Sequence, residues 1–201
     1  MKNFLFTVPQ QPEQSLKKTK YKNPCENPLL ECREETRFPI LVLIGNTVKA
    51  NEKIRITAIK QEYINCEKNS RTFTEELKKL KNDIGFEYEL DIVTTPYSET
   101  IEDHLALFGK LIDHVHDDDS LYTDITYGTK PIPMILLMTL TYAYRFNKNS
   151  FVENIIYGQF DHVTQTSSLY DVSALFYMNS TINTMTGSSD PNKFIKDILA
   201  L

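Results

Sequence analysis

Cysteine is scarce in this chain and poorly placed for either of its structural uses. Cys25, Cys32 and Cys66 are odd in number and form no Cys-x-x-Cys pair. That excludes a disulfide frame and a zinc ribbon and leaves reduced thiols. A long basic block is missing as well. With 22 Lys and Arg against 27 Asp and Glu the formal charge is −5, so general DNA or RNA binding through the phosphate backbone is not expected. A small anionic ligand is not excluded, because it needs only a local positive pocket. No Gly-x-Gly-x-x-Gly follows the first apolar run and no Ser, His and Asp stand at supporting spacings, which argues against a dinucleotide-dependent enzyme and a triad hydrolase. The histidines are few. His114 and His116 precede Asp117, Asp118 and Asp119, but residues two apart on a helix point to different sides, so this run reads as a solvated helix end. His104 reads as a helix residue and His162 as a loop residue, and neither a metal nor a cofactor is expected. The very apolar stretch 132–146 falls short of the ~20 residues that cross a bilayer. The N-terminal MKNFLFTVPQQPEQ has too short an apolar run for a signal peptide, and the expectation is a cytoplasmic chain with no membrane partner.

What is present suits a single α/β domain, 201 residues long and 41% hydrophobic. Its organising stretch is Leu121 to Arg145. It reads as a buried strand (121–126), a polar turn (127–130) and a helix apolar on nearly every side (131–146). Pro131 and Pro133 stand at the mouth of that helix, within the first four positions, whose N–H groups lack intrahelical partners. With Thr129 as N-cap, the turn offers free backbone N–H groups, the hydroxyls of Thr126 and Thr129, a flexible Gly128 and the Lys130 ammonium at the positive end of a helix dipole. Such a place holds an anion, most simply a phosphate.

In chain order, 3–8 reads as a first strand, followed by a polar arm to about residue 35 that is either functional or a solvated loop. Residues 38–48 read as a helix, because the β-branched, alternating 53–60 claims the second strand and a parallel pair needs a crossover. Residues 73–84 read as a helix with Phe73, Leu77, Leu80 and Ile84 on one face, a Thr72–Glu75 capping box and Gly85 as its stop. A third strand spans 87–94. A third helix spans 98–116, with Ile101, Leu105, Phe108, Ile112 and Val115 inward. Residues 152–157 make a fifth strand and 169–172 a sixth, too close together for a crossover and so antiparallel. The alternation predicts a Rossmann-like, doubly wound, mostly parallel sheet with an antiparallel return near the C-terminus. Ligands of such sheets bind at the carboxyl ends of the strands, where strand order reverses. For an order 3-2-1-4-5 that crevice lies between strands one and four. The candidate ligand-binding residues are Thr7, Pro9, Gln10 and Gln11 after strand one and Thr126, Tyr127, Gly128, Thr129 and Lys130 after strand four, with Thr94 and Thr95 closing strand three on the same edge.

The run DITYGTKPIPM resembles the second signature of the CRISPR-associated Rossmann fold (CARF) family, through Asp124, Thr126, Gly128, Thr129 and Lys130. IIYGQF (155–160) followed by LYDVSAL (169–175) is similar to the family branch with a Tyr-Gly strand end and a downstream Asp. After strand one, many relatives carry a Gly where this chain has Thr7, Val8, Pro9, Gln10 and Gln11. The resemblance implies a homodimer binding a cyclic oligoadenylate, tetra- or hexa-adenylate, across its two-fold axis, as a receptor in type III CRISPR defence that switches an attached effector. The excess apolar face of helix four fits a partner subunit. The alternative is burial of that face beneath the C-terminal helix. Two other readings stay open, a nuclease that cleaves the ring and a generic nucleotide-binding Rossmann domain. No histidine falls in either signature loop to serve as general base, so no catalytic residue is assigned and efficient turnover is not expected. Residues 1–189 form the sensing domain in this reading. Residues 190–201 start a helix with Phe194, Ile195, Ile198, Leu199 and Leu201 on an apolar stripe, the expected start of a linker to an effector domain that would support a higher oligomer.

Overall fold

The first strand, β1 (Lys2–Thr7), is buried from Asn3 onward, as a strand covered on both faces must be. In the computed structural model, which describes residues 1–184 and 190–199, it lies inside a six-stranded sheet of order β3-β2-β1-β4-β5-β6. The neighbours are β2 (Lys53–Gln61), β3 (Glu87–Thr95), β4 (Ser120–Asp124), β5 (Phe151–Asp161) and β6 (Thr166–Asp171). All pairs are parallel except β5–β6. The chain winds outward from β1 to β3, returns to place β4 on the other side of β1, and continues outward. The switch point is thus between β1 and β4, as the alternation predicts.

Helices cover both faces. Phe4, Phe6 and Val8 point to the side of α1 (Pro39–Thr47) and α2 (Cys66–Ile84), in one core with Phe38, Ile44, Phe73 and Leu77. Leu5 points the other way, into a second core with Leu107 and Leu111 of α3 (Ile101–Ile112) and Ile132, Ile135, Leu136 and Leu140 of α4 (Pro131–Phe146). Alternation along one strand therefore assigns each residue a helix layer. Gly85 ends α2 with φ +85°, as expected of a left-handed cap.

Several expectations need correction. α2 begins seven residues before Phe73, and the Thr72 hydroxyl donates back to the Lys68 carbonyl (3.2 Å), so no capping box forms. Its first turns bury Asn69 and Ser70, polar residues that apolar periodicity passes over. α3 is shorter than expected and is capped by Thr100, whose hydroxyl accepts from the Asp103 N–H. Its inward face is Leu107 and Leu111, while Ile101 and Leu105 are 62% and 56% exposed. The expected and observed stripes share Phe108 and Val115, which is why the wrong one looked complete. The acidic run after α3 is not simply solvated. Asp119 is buried and accepts from the Asn3 side chain (3.1 Å), the His116 N–H (3.0 Å) and Arg55 (3.3 Å).

The polar arm is neither a loose loop nor disordered. Leu16, Tyr21, Leu30 and Cys32 are buried in the first core, and the backbone of Lys22 exchanges hydrogen bonds with Ser167 and Leu169 of β6. The three cysteines are free. A helix not foreseen in the sequence, α5 (Ser173–Thr184), lays Phe176 and Tyr177 edge-on against Tyr144 of α4. It covers one flank of α4 and leaves Met134, Met138 and Phe146 exposed. On α6 (Pro191–Leu199) Phe194 and Leu199 are exposed, and Leu201 lies outside the described residues. No helix among the described residues is long and apolar enough to cross a membrane.

Candidate functional site

The crevice is built from the carboxyl end of β1 and the turn that follows β4. Register pairs Phe6 with Asp124, so Thr7 lies level with the start of that turn. Gly128 folds back over Thr7 with φ +105°; a Cβ there would stand 3.1 Å from the Thr7 Cγ2 and 3.1 Å from the Ile132 Cβ. Only glycine satisfies both the positive φ and the close approach. The Thr7 hydroxyl is buried and has no hydrogen-bond partner among the described residues, and the same holds for the hydroxyls of Thr129 and of Thr123, one rung below on the same face. Buried hydroxyls left unpaired are rare, since each costs roughly 1–3 kcal/mol. Lys130 is exposed beside them, with no ion-pair partner among the described residues.

The helix mouth differs from the expected one. Lys130, not Thr129, occupies the cap position, and no side chain caps the helix. Ile132 N–H is already bonded to the Thr129 carbonyl (3.0 Å), and Pro131 and Pro133 have no N–H. The donors left are those of the turn itself, Gly128, Thr129 and Lys130, with the α4 dipole behind them.

The other members of the motif face away. Asp124 is fully enclosed on the α1 side, where its carboxylate accepts from the N–H groups of Ile40 (3.2 Å) and Thr126 (2.8 Å). It thereby joins the start of α1 to the turn. Burial pushes its pKa up to about 6, against the lowering effect of those same hydrogen bonds. The Thr126 hydroxyl accepts from Gly158 N–H of β5 (2.7 Å), and a Cβ on Gly158 would come within 3.0 Å of that oxygen. The Tyr127 hydroxyl donates to the Arg37 carbonyl (3.0 Å), the acceptor that Tyr21 of the arm also reaches (3.5 Å), and burial raises the Tyr127 pKa well above the usual tyrosine range. Asp124, Thr126 and Tyr127 thus hold the turn, while Gly128, Thr129 and Lys130 present it.

Of the remaining candidates, Pro9 is buried, Gln10 half-buried and Gln11 exposed. Their carbonyls are taken up by Asn65 and Asn69 at the start of α2 at 2.8–2.9 Å, and the Gln10 amide bonds Gln61. These two asparagines carry no motif signal and were not foreseen. Thr94 and Thr95 close β3 at the far edge of the sheet, about 12 Å from the crevice by strand spacing. The structure does not bring them to it. A separate cavity of about 200 Å³ opens between the arm, α1 and α2; its walls mix Lys18 and Lys79 with Glu34 and Glu76, and none of the candidate residues lines it. Among the described residues no three His, Cys, Asp or Glu side chains converge as metal ligands. His162 lies on the β5–β6 turn, its ring edge-on to Phe160.

Fold and strand order define a Rossmann-like α/β protein with a polar crevice at its switch point. Over 89 residues the chain is 30% identical to the CRISPR-associated protein MJ1674 of Methanocaldococcus jannaschii, a similarity covering 43% of this chain. It spans 14% of that protein's length. No family model matches the chain.

Proposed function

We propose that this chain is a CRISPR-associated ligand-sensing domain of the CARF kind, which binds a cyclic oligoadenylate, tetra- or hexa-adenylate, in the crevice between β1 and β4. The observation that carries the reading is the exposed turn at the mouth of α4, where Lys130, the turn N–H groups and the α4 dipole meet above two buried threonine hydroxyls, Thr7 and Thr129, that have no partner among the described residues. All are donors or positive ends, and a ring phosphate supplies the acceptors. The similarity to a CRISPR-associated protein over part of the chain supports the same reading. Two copies facing each other across a two-fold axis would grasp one ring from both sides, using the exposed residues of α4 as their contact.

The domain senses the ring rather than turning it over. Cleavage needs a ribose hydroxyl held in line with its phosphate and a group to take its proton. Asp124 faces away from the crevice with both oxygens bonded, and among the described residues no histidine belongs to the crevice. The test is incubation of the purified chain with excess cyclic tetra- and hexa-adenylate, with products resolved by chromatography. The expected result is tight binding with intact rings. Many turnovers within minutes, abolished by Lys130→Ala or His162→Ala, would place the protein among ring nucleases instead.

A further inference from the structure

The β5–β6 hairpin runs past the end of β4 beside the crevice, tied at its foot by Gly158 to Thr126 and by Ser167 and Leu169 to Lys22 of the arm. The last residue of β5 paired with β4 is Ile156, opposite Asp124, so Tyr157–Asp161 run roughly 17 Å past the strand ends. β6 returns antiparallel and sets Tyr170 opposite Tyr157 and Ser168 opposite Gln159. These four side chains share one face, because residues two apart on a strand point the same way. It is the face of the crevice. Ile155, two residues before Tyr157, packs in the α4 core with Leu5, and Thr7 follows Leu5 by two in the same sense. The foot of the hairpin is therefore one strand, about 4.8 Å, beyond the β4 turn and on the same side of the sheet as the unpaired threonine hydroxyls.

The chemistry of this wall is unused within the chain. Tyr157 is 40% exposed, Gln159 is exposed, and Tyr170 and Ser168 are part-exposed. None of the four side chains has a hydrogen-bond partner among the described residues, so all four are free to meet a ligand. Two tyrosines opposite each other across the strands, with an amide and a hydroxyl one rung above, are equipment for holding a planar base. Rings stack on the tyrosines, and a Gln amide matches the paired donor and acceptor of an adenine edge.

We propose that Tyr157, with Tyr170 opposite it across the strands, is the base-stacking platform of the ligand site, and that Gln159 selects adenine by hydrogen bonding its edge. This rests on the anion-binding reading of the crevice and adds a nucleobase subsite, so that the wall sets which base is accepted while Lys130 and the turn hold the phosphate. Base and phosphate of one nucleotide then bridge adjacent strands of the sheet.

The experiment is calorimetric titration of the full chain and its variants with cyclic tetra-adenylate and cyclic tetra-uridylate. Melting temperatures are recorded for each variant. The wild type is expected to prefer the adenylate ring. Tyr157→Ala weakens the adenylate ring ten- to a hundredfold, the span that loss of one base–aromatic stack produces. Tyr157→Phe, which keeps the stacking face, stays within threefold of wild type. Gln159→Ala lowers the adenylate-to-uridylate ratio, and Lys130→Ala weakens both rings without changing that ratio. If Tyr157→Ala and Gln159→Ala bind both rings as the wild type does, while Lys130→Ala still loses affinity, the base platform is overturned and the phosphate site stands. If the wild type binds neither ring, the crevice reading falls, and the platform with it.

Discussion

Lys130 and Asp124 belong to one short turn and have opposite duties. Lys130 is exposed and has no ion-pair partner among the described residues, so its removal should be felt by a ligand and hardly by the fold. Lys130→Ala is expected to weaken a phosphorylated ligand by about 1.5–3 kcal/mol, the scale of a charge-assisted hydrogen bond, with an unchanged melting temperature. Calorimetry and thermal unfolding of the same preparation separate the two effects. Asp124 is the reverse, a buried carboxyl that links α1 to the turn. Its folded pKa, about 6, lies above its ordinary 3.8, so between those values the folded state binds the proton more tightly than the unfolded state does. The stabilisation by this group is full below about pH 4 and is lost as pH rises through 6. The corresponding span is about 3 kcal/mol. Melting curves from pH 4 to 7 should show the wild type losing stability relative to Asp124→Asn as pH rises. A difference between the two profiles that does not fall across the window would contradict the assignment.

At the scale of elements, the turn after β4 depends on glycine at one position. Gly128→Ala forces a Cβ to 3.1 Å from both Thr7 and Ile132 at φ +105°, and is expected to destabilise by about 1–3 kcal/mol. Gly109→Ala is the control, since a Cβ there meets nothing within 4 Å in the middle of α3, and a gain of about 0.5–1 kcal/mol is expected. Urea unfolding of the two variants reads both signs. Most elements were legible from period alone, because strands buried on both faces and crossover helices leave separate signatures. The failures have physical causes. α2 starts with buried Cys66, Asn69 and Ser70, and the first two bind the loop after β1 instead of making an apolar stripe. α5 buries only Phe176, and its polar NSTINT end offers no helix signal. The arm contributes four buried residues at irregular spacing, which no period detects. In the site, composition alone gave the turn its Gly, Lys and prolines. The directions of Thr126 and Tyr127 depend on Gly158 and Arg37, distant partners that no local pattern encodes.

For the whole molecule, the reading requires two copies around one ligand. α4 keeps Met134, Met138 and Phe146 at 65%, 46% and 72% exposure after α5 has covered its flank. Met138→Glu is expected to shift sedimentation from dimer to monomer and to weaken ring binding, because each copy alone offers half of the contacts. A variant that sediments as the wild type does would remove this face from the interface. Recognition of a cyclic oligoadenylate by this crevice is tested most directly by isothermal titration of the wild-type chain with cyclic tetra-adenylate and cyclic hexa-adenylate, with the linear oligomers as comparison. Saturable binding of one of the rings at one ring per two chains is expected, weakened in Lys130→Ala and weaker for the linear form. Equal affinity for linear and cyclic oligomers, or no heat of binding for either ring, would contradict it.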